Sequence, residues 1–232
     1  MTVHAPVAAK GRTLVVGSTG FIGRFVAEAS LASGRPTFLL VRPGPASTSK
    51  ALTVASLEDR GAIVIPGSIR DRDSLGKVLK EYEIEVVISA VGGDASWTSW
   101  SSLTPLKRFL PSEFGHEIDR ADPVEPGLTM YIQKRQVRRA IEAAGIPYTY
   151  ICCNSIAAWP YYDNTHPADV LPPLDCFHIY GDGSVRGCQV NYSLDRDADI
   201  EVTSLYPDAS FRSIDECFDD FLARFTSGGC RR

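Results

Sequence analysis

The chain has 232 residues, with 24 lysines and arginines against 28 aspartates and glutamates, a formal net charge of −4 and 44% hydrophobic residues. That length holds about one and a half domains of ordinary size, and 22% charged residues with ordinary glycine and proline counts exclude a disordered or fibrous chain. The slightly acidic balance gives no electrostatic reason to expect nucleic acid or an anionic membrane as a partner.

Residues 12–17 (RTLVVG) read as a buried strand, followed by a glycine turn and a helix through about Ala32. A second strand is predicted at 37–41, a helix at about 49–60, a third strand at 62–65, a helix at 71–81 and a fourth strand at 85–90. Strands that are continuously apolar and alternate with helices indicate a parallel sheet covered on both faces, an α/β doubly wound (Rossmann) fold. A fifth strand is expected at 107–111, a long helix at about 128–144 and a sixth strand at 147–153.

Two regions break this regularity. The stretch from Gly92 to Lys107 stands where parallel strands need a crossover, yet it is rich in Ser, Thr and Trp and has no helical stripe. Residues 154–187 are rich in Pro, Tyr and Gly, 188–211 show only short strand-like runs, and 214–225 form an amphipathic helical pattern. The division expected is a dinucleotide-binding domain over 1–153 and a small, incomplete region over 154–232.

The first twelve residues lack the apolar run of a secretory signal, and no run approaches the ~18–20 apolar residues of a membrane span. The six cysteines lack C-x-x-C pairs and zinc-finger spacing, so reduced thiols, a cytoplasmic location and no metal are expected.

The segment Gly17-Ser18-Thr19-Gly20-Phe21-Ile22-Gly23 is a G-x-x-G-x-x-G placed between a strand and a helix. Glycines there allow a tight turn, close backbone approach to a pyrophosphate and helix-on-strand packing, while the helix N-terminus offers N–H groups and a positive dipole end. The alternative is an ordinary βα turn. Strand two ends in Arg42 rather than an acidic residue, with Lys50 following, and cations there suit a 2′-phosphate, favouring NADPH over NADH. The competing reading of Arg42 is a solvated surface arginine.

On the helix 128–144, Val137, Ile141 and Ala144 mark an apolar face, and Lys134 and Tyr131 fall on it three and six residues before Val137. Arg135, Gln136, Arg138, Arg139 and Glu142 are expected mostly to point elsewhere. Lys134 has two readings: an amine that snorkels to water, or a desolvated amine of lowered pKa usable as a base. Tyr131-x-x-Lys134 is not the Tyr-x-x-x-Lys of typical short-chain dehydrogenases, so Tyr131 is not assigned as a proton donor of that kind. Pro111-Ser112-Glu113-Phe114-Gly115-His116 follows strand five, at the sheet end where ligands bind in open α/β folds. On spacing alone, His116 is a catalytic or a surface loop histidine.

Together these residues resemble the plant NADPH-dependent aromatic-alcohol reductases, the atypical short-chain group of isoflavone, phenylcoumaran benzylic ether and pinoresinol-lariciresinol reductases. The runs RFLPSEFGHEIDRADPVEPGLTMY (108–131) and ICCNSIAAWPYYDN (151–164), with Thr165-His166-Pro167, are most similar to the leucoanthocyanidin reductase subgroup. The resemblance covers about nine-tenths of the chain. It implies a flavonoid small molecule as substrate: a flavan-3,4-diol that loses its C4 hydroxyl and receives hydride at C4 to give a catechin-type flavan-3-ol.

In that reaction Lys134 would deprotonate an A-ring phenol, and His116 would protonate the departing hydroxyl, leaving a quinone methide for NADPH to reduce. Ser112 and Phe114 would lie on the cofactor side; Tyr131, Cys153 and Asn154 would lie near substrate or nicotinamide. Two departures stand beside the resemblance. The Gly92–Lys107 segment replaces a longer stretch that carries a helix in the family, and Gly187-Cys188-Gln189 resumes only after a large block of the substrate domain has been skipped. Competing readings are a catalytically silent NADPH-binding protein of the NmrA type, and a fragment with too little core to fold stably.

Overall fold

A computed structural model describes residues 11–92, 106–121 and 127–153, together with Pro123, Glu125, Asp195, residues 199–210, Glu216 and Asp219. The 93–105 crossover, Asn154 and most of the C-terminal third, including nearly all of the 214–225 helical pattern, lie outside the described residues. The chain divides into two compact units, Met1–Val190 and Asn191–Arg232.

In the first unit, β1 (Thr13–Val16), β2 (Thr37–Val41), β3 (Ile63–Pro66), β4 (Val86–Ser89) and β5 (Arg108–Leu110) form one sheet. Its order is β3-β2-β1-β4-β5, and every pair is parallel. Side chains alternate across a strand, so a central strand needs apolar residues at every position to be covered twice. β1 meets that condition with Leu14, Val15 and Val16, and Thr13 at its start is buried as well. Val15 and Leu39 face a cluster containing Ala27 and Leu57, from helices α1 (Phe21–Ala32) and α2 (Thr48–Asp59). Leu14, Val16, Phe38, Leu40, Val87 and Phe109 face the opposite cluster. That cluster takes Leu75, Val78 and Leu79 from α3 (Arg72–Glu81) and Val137 and Ile141 from α4 (Gly127–Ala143). The doubly wound expectation is therefore met, with the core split between the two faces.

Local chemistry accounts for the helices. α1 buries Gly23, Ala27 and Ser30, small residues that bring it close to the sheet, and the Ser30 hydroxyl meets that of Thr37 at 2.7 Å. Asp71 caps α3 by accepting from the Ser74 N–H at 3.0 Å, a contact of about 1 kcal/mol.

The expected strand at 147–153 is reduced to a single bridge between Phe109 and Tyr148. β5 is only three residues long and leaves strand geometry at Pro111, while Pro147 has no N–H to donate. The segment instead follows the loop after β5. Phe109 N donates to the Pro147 carbonyl at 2.8 Å, Thr149 N to that of Phe109 at 3.0 Å, Phe114 N to that of Ile151 at 2.9 Å and Cys153 N to that of Gly115 at 2.9 Å.

In the second unit, residues 202–205 form a short helix, α5 (Val202–Leu205), where only strand-like runs were expected. Its residues are exposed and pair with no strand, so the β-branched composition does not decide the local structure. No helix among the described residues is long and apolar enough to cross a membrane.

Candidate active site

The glycine turn leaves β1 and enters α1 as expected. Gly17 has φ +84°, a conformation open to glycine, and a Cβ on it would stand 2.7 Å from the Ala90 carbonyl oxygen. A Cβ on Gly23 would stand 2.0 Å from the Gly17 carbonyl oxygen, so α1 can lie this close to the turn only with glycine there. Gly20 is the N-cap residue, and no side chain caps the helix. Ser18 is fully buried, Thr19 and Ile22 are half-buried, and Phe21 is exposed at the helix start. A glycine cradle below an uncapped helix N-terminus fits a dinucleotide pyrophosphate. Arg42, just past β2, and Lys50, in the first turn of α2, are both on the neighbouring strand–helix connection, Arg42 and Lys50 alike facing solvent.

Two strands away, the loop after β5 emerges at the same carboxyl edge of the sheet. Glu113 is its anchor. The Glu113 side chain is 2% exposed and receives a fork from Arg138, Nε to Oε1 at 3.1 Å and Nη2 to Oε2 at 3.0 Å. The Glu113 carbonyl accepts from Lys134 Nζ at 3.1 Å. Phe114, next in the chain, has φ +43°, a left-handed conformation uncommon for a residue with a side chain. The chain then reaches half-buried His116, whose Nδ1 lies 2.5 Å from the Tyr131 hydroxyl. Tyr131 is itself buried against Ile118 and Ala121. Ser112 and Phe114 are half-buried in this loop, and Cys153 lies exposed in the adjoining segment.

Lys134 is half-buried, and its amine is lowered from the ordinary lysine range first by desolvation. Glu113 opposes that effect, Arg138 adds to it, and Cys152 weakly opposes it.

Arg138 does not point away from the core. It is buried, on the same stripe as Tyr131, Lys134 and Ile141, which recur at alternate three- and four-residue steps. Besides Glu113 it donates to Glu117 and, at 3.0 Å, to Asp119, and its guanidinium lies 4.2 Å from the centre of the Tyr150 ring. Burial works against its charge, but the Glu113 and Glu117 hydrogen bonds prevail and raise its pKa. Arg135 donates to the Ile118 and Ala121 carbonyls, and Arg139 to Asp119 at 2.8 Å. α4 thus grips the 113–121 loop with three arginines. Glu113 and Arg138 were missed by sequence reasoning. The signal available was the spacing of Arg135, Arg138 and Arg139 on one helix, together with Glu113, Glu117 and Asp119 before it.

Among the described residues, no group of three or more His, Cys, Asp or Glu side chains could hold a metal ion. The arrangement offers a dinucleotide cradle at one strand end and, at another, an amine and an imidazole held by a single loop.

The fold and the glycine turn define a dinucleotide-binding α/β protein, and the chain matches the NmrA-like family over residues 9–171. It belongs, within that architecture, to the leucoanthocyanidin reductase family: it is 43% identical to the leucoanthocyanidin reductase of Desmodium uncinatum, over 96% of this chain and 83% of the other. Phenylcoumaran benzylic ether reductase TP7 of Nicotiana tabacum is 41% identical over 78% of this chain, which spans 60% of that relative's length. Among solved structures, the binary complex of leucoanthocyanidin reductase with NADPH from Vitis vinifera superposes with a TM-score of 0.80 at 39% identity, covering 92% of this chain and 100% of that one. The alignment with the Desmodium enzyme runs over 317 positions against a chain of 232 residues, so at least 85 of those positions have no counterpart here.

Proposed function

We propose that this chain binds NADPH and carries the catalytic pair for reduction of a flavan-3,4-diol at C4, giving a catechin-type flavan-3-ol. One observation carries the reading: Lys134 and His116 are held by the same loop, the amine on the Glu113 carbonyl and the imidazole on Tyr131, one helical turn from Lys134. The NADPH complex of the Vitis enzyme supports the choice of cofactor, as does the fit of the glycine cradle. Gly17, Gly20 and Gly23 would lie beneath the pyrophosphate, and Arg42 and Lys50 would meet the 2′-phosphate.

The chemistry asks for a base and an acid on one aromatic substrate. Lys134 Nζ, lowered by desolvation, accepts a phenolic proton of the A ring and makes the ring electron-rich. His116 gives a proton to the C4 hydroxyl, which leaves as water, and Tyr131 orients the imidazole through Nδ1. NADPH, when bound, supplies the hydride for C4. Cys153 and Asn154 belong to the substrate side of this reading, residues 1–153 to the cofactor domain and 154–232 to the substrate region.

The test is turnover of leucocyanidin with NADPH by the purified chain, with product identified by chiral chromatography. Catechin formed by the wild type and abolished in Lys134→Arg is expected, since a guanidinium keeps its proton and cannot serve as base. The second reading, NADPH binding without turnover, is favoured by the alignment positions that have no counterpart in this chain. Binding seen by nicotinamide fluorescence with no product would establish it.

A further inference from the structure

The Lys134 amine has two possible acceptors on one residue: the Glu113 carbonyl, which holds it at 3.1 Å, and the Glu113 carboxylate, which Arg138 takes instead. A free carboxylate so placed would pair with the ammonium and hold its proton. We propose that Arg138 is a positioning residue for Lys134: by forking the Glu113 carboxylate it keeps that group from the amine and fixes the carbonyl on which the amine rests. The proposal depends on Lys134 being the base of the site.

The geometry suits that task. Both side chains of the fork are 2% exposed, so water does not compete for the carboxylate. The guanidinium is held independently by Glu117, by Asp119 at 3.0 Å and by the face of Tyr150, so it stays in place even when Glu113 is altered. A lysine at 138 could not form two parallel bonds to one carboxylate. The charges acting on the amine are Glu113 from the loop and Arg138 one turn along α4, and the Cys152 thiol faces it from the adjoining segment. Glu113 and Arg138 push the amine in opposite directions, and this yields a signature that plain destabilisation lacks.

The experiment follows the titration of Lys134 itself, by NMR of reductively ¹³C-methylated protein, with the signal assigned by its loss in Lys134→Arg. Arg138→Gln is expected to raise the midpoint by about 1 pH unit or more, as Glu113 turns to the amine. Glu113→Gln is expected to lower it, and adding Glu113→Gln to Arg138→Gln is expected to reverse the rise. An unchanged Lys134 midpoint in a folded Arg138→Gln protein, or a double variant that keeps the rise, would overturn the proposal. If Arg138→Gln does not fold, Glu113→Gln and the double variant decide: a Lys134 midpoint in Glu113→Gln equal to or above that of the wild type overturns it, and a lower one supports it. These readouts need no substrate. A chain that titrates as expected yet makes no product would sink the proposed reaction and leave the positioning role standing.

Discussion

Gly23 stands so close to Gly17 that a Cβ on the former would lie 2.0 Å from the latter's carbonyl oxygen. The obstacle is backbone, which no rotamer change relieves. Gly23→Ala should therefore push α1 off the turn, costing about 1–3 kcal/mol in stability and at least tenfold in NADPH affinity. Gly76, inside α3, is the contrasting case: a Cβ there would meet nothing within 4 Å. Gly76→Ala should stabilise by about 0.5–1 kcal/mol. Thermal unfolding and fluorescence titration of the two variants give the comparison.

Arg42 should decide between the two nicotinamide cofactors. Arg42→Ala removes a charged donor, a loss of about 1.5–3 kcal/mol, so NADPH affinity should fall at least tenfold while NADH affinity stays unchanged. Parallel titrations with both dinucleotides check it; equal losses would place Arg42 away from the 2′-phosphate.

Acid should loosen the loop after β5. Desolvation alone would raise the carboxyls of Glu117 and Asp119, but hydrogen bonds from Arg138 prevail and hold both below their ordinary values of 4.5 and 3.8. A depressed folded value contributes stability that is complete above the unfolded value and lost as pH falls through the folded one. The chain should thus hold its stability down to about pH 4.5 and lose it progressively below that. In Arg138→Gln the acid transition, followed by circular dichroism, should move to higher pH.

Cys152 should be a slow thiol despite its exposure. Its sulfur lies 3.5 Å from Glu117 and 3.9 Å from Arg138, and desolvation there, followed by the Glu117 charge, pushes it up to about 12. Alkylation by iodoacetamide at neutral pH should be far slower than for a free thiol, and Glu117→Gln should accelerate it. Peptide mass spectrometry at Cys152 reads the rate.

The parallel sheet and its helices were legible because their pattern is local. The LVV run of β1 and the spacing of Leu75, Val78 and Leu79 each announce the surface that they bury. The segment 147–153 was misread because a strand needs a partner, and β5 ends after three residues. Arg138 was misread for a related reason. An arginine in a helix reads as surface, and only partners distant in the chain, Glu113, Glu117 and Asp119, make its burial tolerable. Lys134 sat on the face expected of it, but no helical pattern could have named the Glu113 carbonyl as its partner.

The pairing of Val16 with Ser89 makes one joint of two turns far apart in the chain. The oxygen that denies Gly17 a side chain belongs to Ala90, the first residue after β4. A displacement of Ala90 and Val91 would therefore be felt first at Gly17, which both of them abut. Substitutions at the end of β4 should thus change dinucleotide binding while every residue of the glycine turn stays the same.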